Sequence, residues 1–282
     1  MNRNSIWECE GRTYDLSRKT LLMGILNVTP DSFFDGGKHK SADEAYKHAC
    51  RMAEDGADII DVGGESSRPG AEPVTYEEER KRVIPVIKKI NKNLKVIVSV
   101  DTYKAEVAKE AIDAGAGMVN DISAMRMDRD MTGVVSRTGV SVCLMHMQGT
   151  PGDMQKNPRY ADVVKEITKF LKDRIKYCVS NGVDKIKILV DPGIGFGKTV
   201  EHNLLILKNM RKFRDTGRPV LVGLSRKSFI GKLLGLEPEE RLYASLALNV
   251  LCSAEGGAGV LRVHDVKETR SAMDITECLL RG

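Results

Sequence analysis

The chain has 282 residues, of which 41% are hydrophobic and 29% are charged, a composition typical of a globular protein with a sizeable core. Its formal net charge of +5 comes from interleaved basic and acidic residues without a basic stripe among aromatic side chains, so nucleic acid is not expected as a partner. No apolar run is long enough to cross a membrane, and the first residues lack the apolar stretch of a secretory signal, so we expect a cytoplasmic protein with no membrane partner.

Short apolar runs alternate with amphipathic stretches along the chain. The apolar runs predict strands at residues 21–27, 58–63, 96–101, 118–121, 141–146, 186–191, 219–225 and 260–264. The amphipathic stretches predict helices at residues 43–55, 76–91, 104–114, 130–138, 161–181, 201–216, 238–254 and 266–280. Most of these helices are followed closely by glycine, which readily adopts the left-handed conformation at a helix C-terminus: Gly56, Gly115, Gly139, Gly182, Gly217 and Gly256.

This succession of β/α units favours one closed parallel barrel, the (β/α)8 or TIM-barrel architecture of the α/β class, in a single domain spanning residues 1–282. The strands read as nearly continuous apolar runs, as expected when both faces of a sheet are covered. A doubly wound open sheet is the structural alternative. The segment before residue 21 is expected to form a short hairpin-like extension over the bottom of the barrel.

Polar residues stand where each predicted strand ends. In a parallel barrel these ends meet at one mouth, which is the face where active sites lie. One polar residue at a strand end is unremarkable, but such residues at all the ends predict a small-molecule site. The residues are Asn27, Glu65, Arg68, Asp101, Asn120, Asp121, His146, Asp191, Ser225, Lys227, Arg262 and His264.

Two carboxylates and an amide in this set suit a flat heterocycle that has N–H donors beside ring nitrogens. Asp101 and Asp191 can only accept hydrogen bonds when ionised, whereas the amide of Asn120 both donates and accepts. Lys227 adds a donor for a ring carbonyl or nitrogen. For either aspartate alone, capping of the following helix is an equally good interpretation.

Three loops carry further signals. Residues 29–38 (TPDSFFDGGK) and 65–73 (ESSRPGAEP) are long for βα connections and are expected to close over a substrate, although they could be irregular surface. Residues 191–199 (DPGIGFGKT) lack the glycine spacing of a nucleotide-binding P-loop, so their glycines are expected to let the backbone approach a flat ligand beside Phe196. Arg262 and His264 suit an anion such as pyrophosphate, although His264 alone could be structural.

Long blocks of this sequence resemble the dihydropteroate synthase family, in order and over essentially the whole chain. The blocks are 23–37 (MGILNVTPDSFFDGG), 56–70 (GADIIDVGGESSRPG), 99–104 (SVDTYK), 119–123 (VNDIS), 144–158 (LMHMQGTPGDMQKNP), 189–199 (LVDPGIGFGKT), 223–231 (GLSRKSFIG) and 262–266 (RVHDV). The departures are small: Phe34 stands where many members carry serine, and Ser67 where threonine is common.

The resemblance implies a role for each matching residue. It implies a pterin pocket formed by Asp101, Asn120, Met145, Asp191, Phe196 and Lys227. It implies that Asn27 reaches a Mg²⁺ ion on the pyrophosphate, with Arg262 and His264 as anion contacts. It further implies loop residues that act on pyrophosphate and the incoming amine, Asp35 and Arg68, and a p-aminobenzoate pocket, the target of sulfonamides, formed by Phe33, Ser67, Pro69 and Ser228.

The implied reaction joins 6-hydroxymethyl-7,8-dihydropterin pyrophosphate to p-aminobenzoate in folate biosynthesis, by a dissociative path, with Asp35, Arg68, Asp101, Lys227 and Arg262 as the catalytic residues. Fold analogy adds a homodimer. A pterin-binding methyltransferase that serves a corrinoid is a rival, but that family lacks the TPDSF and SRKSFIG blocks present here. A pterin-binding barrel that has lost catalysis is a second rival, against which the intact set of residues argues.

Overall fold

The structure, a computed structural model that describes residues 3–29, 38–66 and 70–281, contains two sheets. The first is an antiparallel hairpin of β1 (Ile6–Cys9) and β2 (Arg12–Asp15). The second is an eight-stranded parallel sheet made of β3 (Leu21–Asn27), β4 (Ile59–Gly63), β5 (Ile97–Asp101), β6 (Met118–Asp121), β7 (Ser141–Met145), β8 (Ile188–Asp191), β9 (Leu221–Gly223) and β10 (Val260–Val263).

The parallel sheet closes into a barrel. Its strands are hydrogen-bonded in the order β8-β7-β6-β5-β4-β3-β10-β9. A parallel bridge between Val190 and Val220 joins the two ends of this order, and the Val190 N–H donates to the Pro219 carbonyl at 3.1 Å. The predicted (β/α)8 barrel is therefore confirmed, and the doubly wound sheet is excluded because such a sheet has two free edges.

Helices surround the barrel and largely match the predicted ones. They are α1 (Lys38–Glu54), α2 (Tyr76–Asn93), α3 (Ala105–Asp113), α4 (Met131–Thr138), α5 (Val163–Ser180), α6 (Val200–Lys208), α7 (Ser228–Leu234), α8 (Leu242–Ala254) and α9 (Val266–Arg281). All the glycines that were predicted to follow helices have positive φ angles. Within the described ranges, no helix combines the length and the apolar character needed to span a membrane.

Element ends shift, since the strand predicted at 186–191 begins only at Ile188, after a 3-10 helix, and the helix predicted at 43–55 begins at Lys38. Three further segments differ more. The helix expected at 201–216 ends at Lys208 and continues as a separate 3-10 helix, Met210–Thr216, and the helix expected at 238–254 starts as a 3-10 helix, Pro238–Arg241. Helix α7 was not predicted, because seven residues are too few to show a helical period. It is held by burial of Phe229 and Ile230 and ends at Gly235, which has a φ of +70°.

The barrel interior is apolar in its lower half and polar in its upper half. Alternate residues of a strand face the same side of a sheet, so the side chains that point into the barrel are two residues apart along each strand. The lower inward positions form one buried apolar cluster: Leu21, Met23, Ile59, Ile97, Met118, Cys143, Leu189, Leu221 and Val260. In five of these strands a polar residue comes two positions further along: Asp61, Ser99, Asn120, Asp191 and Arg262. The core therefore supports a polar layer just below the mouth.

The N-terminal hairpin covers the bottom of the barrel, as predicted. Trp7 is fully buried in the lower apolar cluster, where Cys9 and Leu16 accompany it. The indole N–H of Trp7 donates to the Lys187 carbonyl at 3.3 Å, and the buried guanidinium of Arg218 donates to the Ile6 carbonyl at 2.8 Å. The hairpin thus keeps water out of the lower half and leaves the mouth as the open end.

Candidate active site

A continuous chain of hydrogen bonds crosses the mouth of the barrel and centres on Arg262. Its Nη2 donates to Asp101 Oδ2 and its Nε donates to Asp61 Oδ2, both at 2.7 Å. Asp61 Oδ2 also accepts from the side-chain amide of Asn120 at 2.9 Å. Four strands, β4, β5, β6 and β10, therefore contribute to one polar network.

Two carboxylates share one guanidinium in this network, which sets its electrostatics. Burial would lower the pKa of Arg262, but the charges of Asp61 and Asp101 outweigh it and hold that pKa above its usual value. Burial raises the pKa of Asp101 to about 7; Arg262 opposes this shift and the charge of Asp61 adds to it. Asp101 is therefore poised to change its charge near neutral pH.

A second polar pair stands on the β8–β9 side of the mouth. Asp191 is buried, and burial raises its pKa, although the Gly193 N–H donates to its Oδ1 at 2.6 Å. The ammonium of Lys227 donates to the Ile194 carbonyl at 2.5 Å. Burial lowers the pKa of Lys227 to about 8, an effect that the charge of Asp191 opposes and that of Arg262 increases. The charges of Asp191, Lys227 and Arg262 therefore influence one another's pKa values.

The two aspartates do not cap the helices that follow them. The first N–H of α3, at Ala105, donates to Asp128 at 2.8 Å rather than to Asp101. Helix α6 is capped by Thr199, whose hydroxyl accepts from the His202 N–H at 3.2 Å. The capping interpretation is therefore wrong for both residues, which leaves their carboxylates to the pocket.

Apolar side chains form one wall of the mouth. Ile122, Met145, Met147 and Met154 make a small buried cluster, against which Tyr103 and Phe196 pack. The Lys227 ammonium lies 4.3 Å from the centroid of the Phe196 ring, within cation–π range. A flat ligand that reached the polar network would have this wall beside it.

The chain matches the family described as pterin binding enzymes over residues 23–264. It is 49% identical over 271 residues to the dihydropteroate synthase of Escherichia coli strain K12, covering 96% of this chain and 95% of that protein. The chain belongs to the dihydropteroate synthase family. The predicted family and the predicted enzyme class are thereby confirmed.

Solved structures of this family superpose on nearly the whole chain. A Yersinia pestis dihydropteroate synthase in a sulfonamide drug complex has a TM-score of 0.91 and 46% identity, and covers 97% of this chain and 98% of its own. A Xanthomonas albilineans dihydropteroate synthase with 4-aminobenzoic acid has a TM-score of 0.91 and 45% identity, and covers 99% of both chains. The barrel of this chain is therefore that of the dihydropteroate synthase family.

Other predicted site residues of this dihydropteroate synthase family member lie at the rim. Ser228, the first residue of α7, is exposed, and so is His264, which directly follows β10. Nδ1 of His264 lies 3.0 Å from the hydroxyl of Ser225, which also accepts the His264 N–H at 3.2 Å. Arg262 thus lies inside the barrel, whereas His264 stands above it. The predicted residues Phe33, Asp35, Ser67, Arg68 and Pro69 lie outside the described residues, as does Phe34.

Some polar strand ends hold the protein together and do not point into the pocket. The carboxylate of Asp121 is fully buried and accepts the N–H groups of Ser123 and Met125, at 2.7 and 2.8 Å. Glu65 accepts from Lys104 Nζ at 2.5 Å and from the Val74 N–H at 3.1 Å, so it ties the two ends of the second loop together. The inference that all the polar strand ends serve one site was therefore too broad.

The glycine-rich loop after β8 is built around a buried lysine. Lys198 is 3% exposed, and its ammonium donates to the Phe196 carbonyl at 2.8 Å and lies 3.0 Å from Nδ1 of His146. Burial, with the Lys198 charge nearby, lowers the pKa of His146 to about 2, so its ring stays neutral. Lys198 therefore stabilises the loop itself. This agrees with the conclusion from the sequence that the loop is not a nucleotide-binding P-loop. A Cβ at Gly193 (φ +68°) would collide with the His146 carbonyl, so this glycine permits close packing against protein, where approach to a ligand was predicted.

Asn27 is the predicted metal ligand and ends β3 beside Asp101. A Cβ added to Gly63 would lie 3.7 Å from both Asn27 Oδ1 and Asp101 Oδ2, so the two oxygens flank the same glycine at the mouth. In the part of the chain that the structure describes, no group of three or more His, Cys, Asp or Glu side chains is arranged to hold a metal ion. Oxygen ligands from one amide and one carboxylate suit Mg²⁺ when substrate phosphates and water complete its coordination.

Sequence reasoning missed Asp61, the acceptor shared by Arg262 and Asn120. It stands in the middle of β4, two residues after Ile59 and before Gly63. The available signal was a charged residue inside an otherwise apolar strand, which is costly unless the charge is paired. Without the register of β4 against β10 across the barrel, that partner could not be named.

Proposed function

We propose that this protein is a dihydropteroate synthase that joins 6-hydroxymethyl-7,8-dihydropterin pyrophosphate to p-aminobenzoate and releases pyrophosphate. The observation that carries the proposal is that the hydrogen-bond network of Arg262, with Asp101 and Asn120, and the pair Asp191 and Lys227 stand at one mouth, above an apolar core and beside one apolar wall. Support comes from relatives: Xanthomonas albilineans dihydropteroate synthase has been solved with 4-aminobenzoic acid and with 7,8-dihydropteroate.

Recognition of the pterin follows from which atoms the network leaves open. The Asn120 amide nitrogen is engaged by Asp61, so its oxygen remains to accept an N–H of the ligand. Asp191 Oδ1 accepts the Gly193 N–H, which leaves Oδ2 as a further acceptor. Lys227 supplies a donor, and Met145 and Phe196 cover one face of the ring. Acceptors on one side and a cation on the other match the edge of a pterin.

The chemistry is displacement of pyrophosphate from the pterin methylene. The C–O bond breaks and its electron pair leaves with pyrophosphate; the amine nitrogen then forms the C–N bond and loses a proton to the released anion or to water. Because an aryl amine is a weak nucleophile, we favour a dissociative path through a pterin-methyl cation. Asp101 stabilises that cation, and Arg262 with His264 binds the departing anion.

Arg262 can hold the aspartates of the network and also bind the departing pyrophosphate, because only some of its N–H groups are already hydrogen-bonded. Two of the five N–H groups of its guanidinium donate to Asp61 and Asp101, and the other three have no acceptor among the described residues. The bonds to Asp61 and Asp101 hold the plane of the guanidinium, so the other donors are available to a bound anion. This keeps the anion site in place before substrate arrives, which is the arrangement that electrostatic catalysis requires.

The remaining assignments rest on the sequence blocks. We assign the p-aminobenzoate pocket to Phe33, Ser67, Pro69 and Ser228 at the rim. We assign Asp35 and Arg68 to the loops that close over pyrophosphate and the incoming amine. We assign Mg²⁺ to Asn27 and the substrate pyrophosphate; when bound, it would neutralise the charge of the leaving group. The cytoplasmic location and the absence of a nucleic-acid partner stay predictions.

We also propose a homodimer that uses the last helices. Large apolar side chains are exposed on α8 and α9, where a second copy would cover them: Tyr243, Leu251, Ile275, Leu279 and Leu280. Light scattering of the purified protein tests this, and a monomer at micromolar concentration would reject it.

Pyrophosphate release tests the proposed function. The purified protein, supplied with the pterin ester and Mg²⁺, should release pyrophosphate much faster when p-aminobenzoate is present, and the product should be dihydropteroate by mass. A corrinoid-dependent methyltransferase would show no p-aminobenzoate dependence, and a barrel without catalysis would bind pterin and release nothing.

A further inference from the structure

Asp61 is the most deeply buried member of the network at the mouth. Its side chain is 0% exposed, and it follows Ile59, which belongs to the lower apolar cluster, by two residues. A buried carboxylate is costly even when it is paired, and an apolar side chain of similar size commonly serves stability as well. The position therefore carries a charge for a reason other than packing.

Both bonds of Asp61 lead to residues that the proposed function places at the substrate. One oxygen, Oδ2, accepts from Arg262 Nε at 2.7 Å and from Asn120 Nδ2 at 2.9 Å. Its other oxygen, Oδ1, has no hydrogen-bond partner among the described residues. The same atom thus fixes two groups that come from strands far apart in sequence, β6 and β10.

Each hydrogen bond of Asp61 fixes the orientation of a side chain that the proposed function places at the substrate. An amide presents nearly the same shape when its oxygen and nitrogen exchange places, so a hydrogen bond must decide which atom faces the pocket. Asp61 can only accept, so it selects the orientation in which the Asn120 nitrogen faces the barrel and the oxygen faces the mouth. Its bond to Nε, with the bond from Asp101 to Nη2, holds the plane of the Arg262 guanidinium.

We propose that Asp61 is a positioning residue for pterin recognition, which acts through Asn120 and Arg262 and does not itself touch the substrate. The inference rests on the proposed function, because it needs a pterin at the mouth. It deepens that function by assigning the orientation of the Asn120 amide to a residue below the pocket.

Two substitutions separate hydrogen bonding from charge. In Asp61→Asn, the amide oxygen can take the place of Oδ2 and keep both bonds, while the negative charge is removed. In Asp61→Val, both bonds are lost while a β-branched side chain fills the strand position. Arg262 then keeps Asp101 as its counter-ion, so the charge stays paired.

Calorimetry with 6-hydroxymethyl-7,8-dihydropterin pyrophosphate, and initial rates with both substrates, provide the measurements. We expect Asp61→Val to weaken pterin binding and to lower kcat/KM by about tenfold to about a hundredfold, the range for loss of a hydrogen bond to a charged group. Asp61→Asn should stay within about threefold of wild type. The KM for p-aminobenzoate should stay within about twofold in both variants, which a general loss of structure would not allow.

Ser99→Ala is the matched control, because Ser99 is another fully buried polar residue of the upper layer and its hydroxyl has no hydrogen-bond partner among the described residues. It should leave both substrates unaffected. A double-mutant cycle adds the direct test: in an Asn120→Ala background, Asp61→Val should weaken pterin binding much less than it does alone, because the two residues act as a unit.

The proposal is overturned if Asp61→Val binds pterin with wild-type affinity, or if its effect is unchanged in the Asn120→Ala background. Should Asp61→Val not fold, Asp61→Ser replaces it, with the same expectation. A wild-type protein that binds no pterin would defeat the proposed function together with this inference, whereas wild-type binding with no effect of Asp61 substitution would defeat this inference alone.

Discussion

The rate of the proposed reaction should depend on pH through two partly buried groups at the mouth. Burial raises the pKa of Asp101 to about 7, and burial lowers that of Lys227 to about 8. Below the first value Asp101 is protonated and cannot stabilise a cation; above the second, Lys227 is neutral and loses its charge. We therefore expect kcat/KM for the pterin ester to follow a bell-shaped curve with its maximum between these values.

The expected size of the effect follows from the two pKa values. The fraction of a group in the required protonation state falls about tenfold for each pH unit beyond its pKa. At about pH 5.5 and at about pH 9.5, kcat/KM should therefore lie roughly 30-fold below the value for an enzyme with both groups fully in the required state. With the two pKa values about one unit apart, at most roughly 60% of the enzyme carries both required forms.

The assay measures initial rates at pterin concentrations well below KM, with saturating p-aminobenzoate, fixed Mg²⁺ and constant ionic strength. Because the pyrophosphate of the substrate also titrates, variants must identify the enzyme groups. Asp101→Asn should remove the acidic limb from the residual activity, since its side chain does not titrate. Lys227→Arg should remove the basic limb, because arginine keeps its charge throughout this range. An acidic limb that persists unchanged in Asp101→Asn would refute the assignment.

Further outcomes follow from the same geometry. Lys227→Ala and Asp191→Asn should each lower pyrophosphate release by more than about a hundredfold with the fold intact by circular dichroism; wild-type-like turnover by either variant would reject the pocket assignment. Arg68→Ala should weaken p-aminobenzoate capture more than pterin binding, and calorimetry that gave the reverse order would count against its place on a closing loop. Trp7→Ala should lower the free energy of unfolding by about 3–5 kcal/mol in urea titrations, because it empties the bottom of the barrel; a loss below about 1 kcal/mol would mean that the hairpin is not needed.

The barrel could be predicted because its signals are local. Each strand was marked by an apolar run and most helices by a following glycine, and these features depend on a few neighbouring residues. Helix α7 escaped because its seven residues are stabilised by burial of Phe229 and Ile230 against other elements, which no local pattern reveals. The broken helix at 201–216 escaped for a similar reason, since a 3-10 segment keeps nearly the same apolar spacing.

The site was predictable only as far as strand ends identify it. Asp101 and Asn120 could be placed at the mouth because parallel strands end there together. Asp61 and Lys198 could not, since each is defined by a partner that lies far away in sequence or in a loop without a regular period. Conversely, Asp121 ends a strand yet faces away from the pocket, because side chains on adjacent strand positions point to opposite sides.

The chain of contacts from Asn120 through Asp61 to Arg262 joins parts of the polypeptide that are synthesised far apart in time. Strand β10 carries Arg262 and pairs with β3, the first strand of the barrel, so the barrel is closed only after its last strand has docked beside β3. A partly folded barrel would therefore lack a complete ligand site, and pterin would bind only after folding is complete. Since a ligand that binds only the native state stabilises it, the substrate pool would favour the fully assembled barrel over its intermediates.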